Sequence, residues 1–97
     1  MFVGVGRIKL HLPENQSLKG KRQVIRPIIA RVKNQFNVSV AEVGDQDLWQ
    51  AAELGVCCVS GDAQHAAEML AKVIAFVEGS RLDAELTDYE TEIIPIF

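Results

Sequence analysis

The sequence contains no long uncharged apolar stretch, and this excludes a protein that crosses a membrane by helices. Charged residues interrupt every apolar run well before the roughly 20 residues that a helix needs to cross a bilayer. The opening residues 1–6 have no positive segment ahead of them and meet Arg7 too early for the apolar part of a secretory signal. We therefore expect a cytoplasmic protein with no membrane partner.

Residue patterns that bind metals or perform catalysis are also missing. The two histidines, His11 and His65, have no cysteine or carboxylate at metal-ligand spacing, and there is no glycine-rich phosphate loop or serine nucleophile motif. Asp45 and Asp47 lie close together, but their turn-forming neighbours indicate groups that cap the backbone. We expect no catalytic residue, no metal and no cofactor, and hence a non-enzymatic protein.

Cysteine is scarce as well, and the two cysteines are adjacent. Cys57 and Cys58 lie in a predicted strand, where successive side chains point to opposite faces of the sheet. A disulfide bond between them would need a strained geometry. We expect two reduced thiols that serve packing.

Charged residues are present in ordinary number but are unevenly distributed. Residues 1–33 contain eight basic residues and one acid, whereas residues 34–97 contain two basic residues and twelve acids. The two segments carry +7 and −10, which sum to the formal net charge of −3. Such asymmetry predicts a charged partner surface, unless the folded domain interleaves the segments and neutralises both.

Hydrophobic periodicity predicts six secondary-structure elements. Alternating residues indicate strands over 2–12, 37–43, 48–60 and 82–96, and Pro95 suggests that the last strand ends at a sheet edge.

Two amphipathic helices separate these strands. A helical repeat of apolar residues predicts the first over 18–36, with Ser17 as its N-cap and a bend at Pro27. The second begins after its N-cap Asp62, and Gly79 fits the position just beyond its end.

The order strand, helix, strand, strand, helix, strand predicts one ferredoxin-like α+β domain over residues 1–97. Its four-stranded antiparallel sheet would carry both helices on one face and leave the other face uncovered. The open face would carry Val3, Val5, Arg7, Lys9, His11, Ala41, Val43, Cys57 and Val59. A half-apolar face of this kind predicts a homodimer formed through the sheet or its edge.

Basic residues cluster at the start of the first helix, where the helix dipole disfavours positive charge. A bound anion would reverse this effect, because backbone amides and cations would both favour it. Further along, cations recur at spacings suited to a phosphate backbone. The candidate residues for binding RNA or another anion are Ser17, Lys19, Lys21, Arg22, Arg26 and Lys33. A solvated helix face without a partner is the alternative.

The single tryptophan, Trp49, follows a predicted hairpin turn. A lone tryptophan usually seals one end of a small core, which is the interpretation that the sequence favours. The alternative is an exposed stacking or interface residue. The candidate interface residues are Val3, Val5, Arg7, Lys9 and Trp49.

Four segments resemble the YlxP-like family of small bacterial proteins, a domain of unknown function (DUF503). They are LP at 12–13, SLKGKR at 17–22, FNVSVAE at 36–42 and QDLWQ at 46–50. The resemblance covers nearly the whole chain and implies a ferredoxin-like fold, a cytoplasmic bacterial protein and no established activity. Family members are often encoded beside genes for translation initiation and ribosome maturation, so the resemblance suggests a partner of that kind.

Three functions remain open on the sequence alone. The first is a binding module that contacts ribosomal RNA, or a translation or ribosome-maturation factor, through the basic helix face. The second is a homo-oligomeric structural or regulatory domain that assembles through its open sheet or the sheet edge. The third is a small site for a phosphorylated ligand at the helix start.

Overall fold

A computed structural model describes residues 1–80 and 83–97. Its elements are β1 (Phe2–His11), α1 (Leu18–Gln35), β2 (Ser39–Gly44), β3 (Ala51–Ser60), α2 (Ala63–Gly79) and β4 (Glu85–Pro95). All six predicted elements are present, and where their ends are described they differ from prediction by at most three residues. The predicted start of the last strand, at Leu82, lies outside the described residues.

The four strands form one antiparallel sheet in the order β2-β3-β1-β4. β1 and β3 are central, whereas β2 and β4 are the edges, so Pro95 ends an edge strand as predicted. α2 packs over β1, β3 and β4, while α1 packs on β2 and against α2. This is the ferredoxin-like α+β arrangement that the element order predicts.

The core lies between the helices and one face of the sheet. Alternate residues of β1 and β3 supply one side of it, and the apolar stripes of the helices supply the other. Gly4 lets α2 approach β1, since a Cβ atom there would lie 3.0 Å from the Cys58 Sγ and 3.1 Å from the Leu70 Cδ1. Phe36 and Phe76 join the two helices edge to face, with ring centroids 5.6 Å apart.

Both predicted N-caps are confirmed. The Ser17 hydroxyl oxygen accepts the backbone N–H of Gly20 at 2.9 Å, and an oxygen of the Asp62 carboxylate accepts that of Gln64 at 3.0 Å. Both cap residues have extended backbone geometry. Polar side chains at these two positions therefore determine where the helices begin.

The predicted end of α2 is wrong in detail. Gly79 is the last helical residue and has no positive φ, and the residue beyond the end is Ser80. The Ser80 hydroxyl group donates a hydrogen bond to the Phe76 carbonyl at 2.8 Å, which satisfies an acceptor that the helix end leaves open.

α1 continues through Pro27 as one helix. None of the helices in residues 1–80 and 83–97 is long and apolar enough to cross a membrane.

The two cysteines are free thiols on opposite faces of β3, as predicted. Cys58 is buried beneath α2, and Cys57 lies half-buried on the open face beside Val5. Burial raises the pKa of the Cys58 thiol. A backbone hydrogen bond at Gly4 opposes this rise, while the neighbouring Cys57 adds to it.

We expect iodoacetamide to alkylate Cys57 before Cys58 in the folded protein. The thiolate is the reactive form, and burial both shields Cys58 and keeps it protonated. Fragment-ion mass spectrometry after brief treatment at mildly alkaline pH can assign the label. The preference should disappear in urea, and faster labelling of Cys58 in the folded state would contradict this assignment.

Candidate nucleic-acid interface

α1 is the most basic element of the protein. It contains no aspartate or glutamate, and its cations are Lys19, Lys21, Arg22, Arg26, Arg31 and Lys33. Four exposed members lie within about 60° of one another around the helix axis. We call these four the basic stripe: Lys19, Arg22, Arg26 and Lys33. The stripe runs for about 21 Å along the helix.

The basic stripe carries charge that the fold does not neutralise locally. None of its four side chains forms an ion pair with a carboxylate of residues 1–80 or 83–97. A shallow depression of about 520 Å³ follows the upper part of the stripe, between Lys19 and Pro27. The stripe is therefore an exposed cationic surface, which the sequence alone had left open, and the predicted anion-binding role of these four residues stays a prediction.

Lys21 does not belong to this surface, and its prediction as an anion-binding residue is wrong. Its side chain is only 2% exposed and points into the protein. The Nζ atom donates to the backbone carbonyls of Asp45 at 2.8 Å, Gln46 at 3.3 Å and Ala51 at 3.1 Å. It also lies 2.9 Å from the Glu42 Oε2, with which it forms an ion pair.

This contact set explains why a lysine can be buried. A buried ammonium group is costly unless it is paired and hydrogen-bonded, and here a carboxylate and three carbonyl oxygens surround it. Lys21 thereby ties the first turn of α1 to the turn between β2 and β3. Its role is structural, and its partner Glu42 was not predicted from the sequence.

Ser17 lies at the start of the basic stripe but serves the helix. Its hydroxyl oxygen accepts the Gly20 N–H, and its carbonyl oxygen accepts the Lys21 N–H at 3.1 Å. A contact between Ser17 and an anion would therefore come from the hydroxyl proton. That contact stays a prediction.

The cations of the open sheet face differ from those of α1, because acids accompany them. Arg7 lies between Glu53, at 3.7 Å, and Glu90 on the neighbouring strand. Lys9 lies 3.6 Å from the same Glu53 carboxylate. Paired cations of this kind offer little net attraction to a polyanion.

The other half of the open face is mostly apolar, with Glu92 as its charged member. In the sheet register Val3 lies between Val59 and Ile94, and Val5 lies between Cys57 and Glu92. Val59 is well exposed, so the sheet does leave an uncovered apolar area. The predicted role of Val3, Val5, Arg7 and Lys9 in an interface between copies stays a prediction.

Trp49 is 55% exposed, so the interpretation that it seals the core is wrong. It lies at the tip of the β2–β3 hairpin, beside the equally exposed Leu48. The amide of Asn15 donates to the Trp49 carbonyl, and this holds the backbone while the indole remains outside. The alternative interpretation, an exposed aromatic residue, is the one that the structure supports.

One smaller prediction also needs correction, and it concerns the side-chain capping role of Asp45. Asp45 serves the hairpin turn through its backbone, because its φ of 58° is left-handed and its carbonyl oxygen accepts the Leu48 N–H at 3.0 Å. The His65 Nδ1 contacts the Ser60 hydroxyl at 3.3 Å. Within the described part of the chain, no group of three or more metal-binding side chains is assembled.

Comparison with known proteins assigns the family. The family described as "Protein of unknown function (DUF503)" matches residues 3–91. The chain belongs to this family. The match confirms the resemblance seen in the four sequence segments, and the DUF503 family carries no assigned activity.

A relative in Bacillus subtilis is also described as uncharacterized. The chain is 37% identical over 77 residues to the uncharacterized protein YlxP of Bacillus subtilis (strain 168), an alignment that covers 79% of this chain and 84% of that protein. Among solved structures, a REP-associated tyrosine transposase bound to a REP hairpin aligns with a TM-score of 0.45 and 15% identity. That alignment covers 98% of this chain, which spans 57% of the transposase chain.

Proposed function

We propose that this protein is a non-enzymatic, cytoplasmic module that binds the phosphate backbone of RNA through the basic stripe of α1. The observation that supports the proposal is a contrast between two surfaces. The four cations of the stripe have no carboxylate partner in the described chain, whereas Arg7 and Lys9 on the open sheet are paired with acids. Unpaired cations attract a polyanion most strongly, so the helix is the binding surface.

The composition of the stripe favours the backbone over the bases. It contains lysine and arginine but no aromatic side chain on which a base could stack. Contacts of this type position a protein on a nucleic acid without reading its sequence. The shape of the RNA helix would then determine which RNA is bound, as is usual for proteins that bind double-stranded RNA.

The proposed choice of RNA over DNA rests on the family resemblance. Genes for translation and ribosome maturation beside those of family members favour ribosomal RNA. The net charge of −3 is compatible with binding because part of the acidic charge is engaged on the open sheet, where Glu53 and Glu90 contact Arg7. Three acids lie nearer to α1, since they line a cavity with Gly20 and Gln23, but none of them forms an ion pair with the stripe: Glu14, Asp83 and Glu85.

Salt titration tests the proposal directly. If four cations contact phosphates, the logarithm of the binding constant for a ribosomal RNA hairpin should fall with the logarithm of salt concentration, with a slope of about −3. Fluorescence anisotropy of labelled RNA measures this slope, with a duplex DNA of equal length in parallel. Inorganic phosphate at the same ionic strength should not compete. A slope near zero, or equal affinity for the DNA, would contradict the proposal.

A second candidate function is self-association through the open sheet. The exposed Val59 and its apolar neighbours on the sheet favour it, because such an area is normally covered. We expect a dimer in sedimentation velocity at tens of micromolar that persists at high salt. A monomer at both low and high salt would exclude this function without affecting RNA binding.

A further inference from the structure

The tip of the β2–β3 hairpin is fixed by side chains from two other segments. Lys21 of α1 donates to three of its carbonyl oxygens, and the Asn15 amide donates to a fourth, that of Trp49. In return, the Gln50 side chain donates to the carbonyls of Pro13 and Asn15, at 3.2 and 3.1 Å. A buried lysine and two amides therefore hold this tip in one conformation.

This rigid tip presents apolar side chains to solvent. Leu48 and Trp49 are 52% and 55% exposed, although they are neighbours on a turn where polar residues are the norm. Together with His11 and Ala51 they border a shallow depression of about 530 Å³ at one end of the open sheet. Aromatic side chains on a fixed backbone are typical anchors of protein interfaces, because little conformational freedom is lost on binding.

The rim of this depression is acidic. Asp47 lines it, and the Glu85 carboxylate lies 3.9 Å from the His11 Nδ1. An acidic rim repels phosphate groups and attracts lysine and arginine.

We propose that this depression, the hairpin pocket, binds a cationic segment of another protein that inserts one apolar side chain between Trp49 and His11. The apolar side chain would pack on the indole, and flanking lysine or arginine residues would face Asp47 and Glu85. The hairpin pocket shares no residue with the basic stripe, so this inference is independent of RNA binding. The protein would then present a cationic helix to RNA and an acidic pocket to a basic protein.

Three capped pentapeptides test the chemistry of the hairpin pocket. The first has one leucine between two pairs of lysines, the second replaces the lysines with glutamates, and the third replaces the leucine with alanine. Because Trp49 is the only tryptophan, its fluorescence emission reports on the pocket without a label. We expect the lysine–leucine peptide to shift the emission to shorter wavelength and to saturate. Both other peptides should bind at least about tenfold more weakly.

Substitutions locate the binding. In anisotropy measurements with labelled lysine–leucine peptide, Trp49→Ala should weaken binding at least about tenfold, whereas Tyr89→Ala, at an equally exposed aromatic residue of β4, should leave it unchanged. Asp47→Asn should weaken it about threefold, and Glu78→Gln on α2 should not. The Trp49 variant is expected to fold, since Lys21 and Asn15 hold the backbone; circular dichroism checks this.

Four results would overturn the proposal. Two concern the peptides: the glutamate peptide binds as tightly as the lysine–leucine peptide, or the lysine–leucine peptide shows no saturable binding. The third is that the folded Trp49→Ala variant binds the lysine–leucine peptide as tightly as the unsubstituted protein does. The fourth is that an oligouridylate shifts the tryptophan emission more than the lysine–leucine peptide does. The last result would mean that Trp49 stacks on bases. If Trp49→Ala fails to fold, the comparison of Asp47→Asn with its control Glu78→Gln, together with the three peptides, still tests the proposal.

Discussion

Replacing Lys21 with methionine is expected to lower the free energy of unfolding by about 3 kcal/mol. Methionine keeps most of the volume of the buried stem but removes the ammonium group. The Glu42 carboxylate then loses its cation, and three backbone carbonyls lose a donor. For a domain of this size, the melting temperature should fall by about 12–24 °C.

Urea and thermal unfolding followed by circular dichroism measure this effect. Lys19→Met is the matched control, because Lys19 lies on the same helix, is exposed and has no ion pair in the described chain; it should cost less than about 0.5 kcal/mol. Adding Glu42→Met to Lys21→Met should restore part of the stability, since a buried pair replaced by apolar residues is often tolerated. Equal stability of the two single variants would contradict the anchoring role of Lys21.

The largest expected effect on binding comes from reversing charge in the middle of the basic stripe. Arg22→Glu together with Arg26→Glu should weaken binding of the ribosomal RNA hairpin about one-hundredfold at moderate salt, at about tenfold for each site. Both side chains are exposed and have no acidic partner in residues 1–80 or 83–97, so their loss should leave folding intact. The salt slope should become shallower by about two, because two phosphate contacts are lost.

Lys72→Glu on α2 is the matched control for this reversal. It makes the same change of charge as Arg22→Glu alone, on an exposed helical position away from the stripe. We expect less than about a twofold effect from Lys72→Glu and about a tenfold effect from Arg22→Glu. Equal loss in the two variants would show that net charge governs binding, and the stripe would then have no special role.

The six elements could be predicted from the sequence because each has a local pattern. Alternation identifies β1, and a helical repeat identifies α1 even with Pro27 inside it. The sheet order then follows from the order of elements, since few arrangements bury two helices on four strands. The predicted positions of the ends of helices and strands were less accurate. At Gly79, for example, a hydroxyl group of the next residue closes the helix without the left-handed glycine that the sequence suggested.

The candidate site was predicted less well, because its critical residues depend on contacts between distant segments. From its immediate neighbours in the sequence, Lys21 is expected to be an exposed cation like Lys19 and Arg22. Its burial depends on the β2–β3 turn, which folds back over the start of α1. One sequence signal was available: Lys21 falls in phase with the buried positions Ile25, Ile28 and Val32. No comparable signal marks Trp49, whose exposure follows from the way Asn15 and Lys21 hold the hairpin backbone.

The folded chain shows where the basic and acidic segments of the sequence contact each other. The sequence left open whether the basic and acidic segments neutralise each other, and the answer differs between surfaces. On the open sheet they do, since Arg7 and Lys9 of the basic segment contact Glu53 and Glu90 of the acidic one. On α1 the basic stripe stays unpaired within the described chain, which is why the helix and not the sheet is the proposed RNA surface.

The most direct test of this account is nuclear magnetic resonance of the ¹⁵N-labelled protein titrated with the ribosomal RNA hairpin. We predict that the amide signals that shift will cluster along α1, around Lys19, Arg22, Arg26 and Lys33, and that those of β4 will stay unchanged. Shifts confined to the open sheet face, or no shift at all at low salt, would contradict the assignment of α1 as the RNA-binding surface.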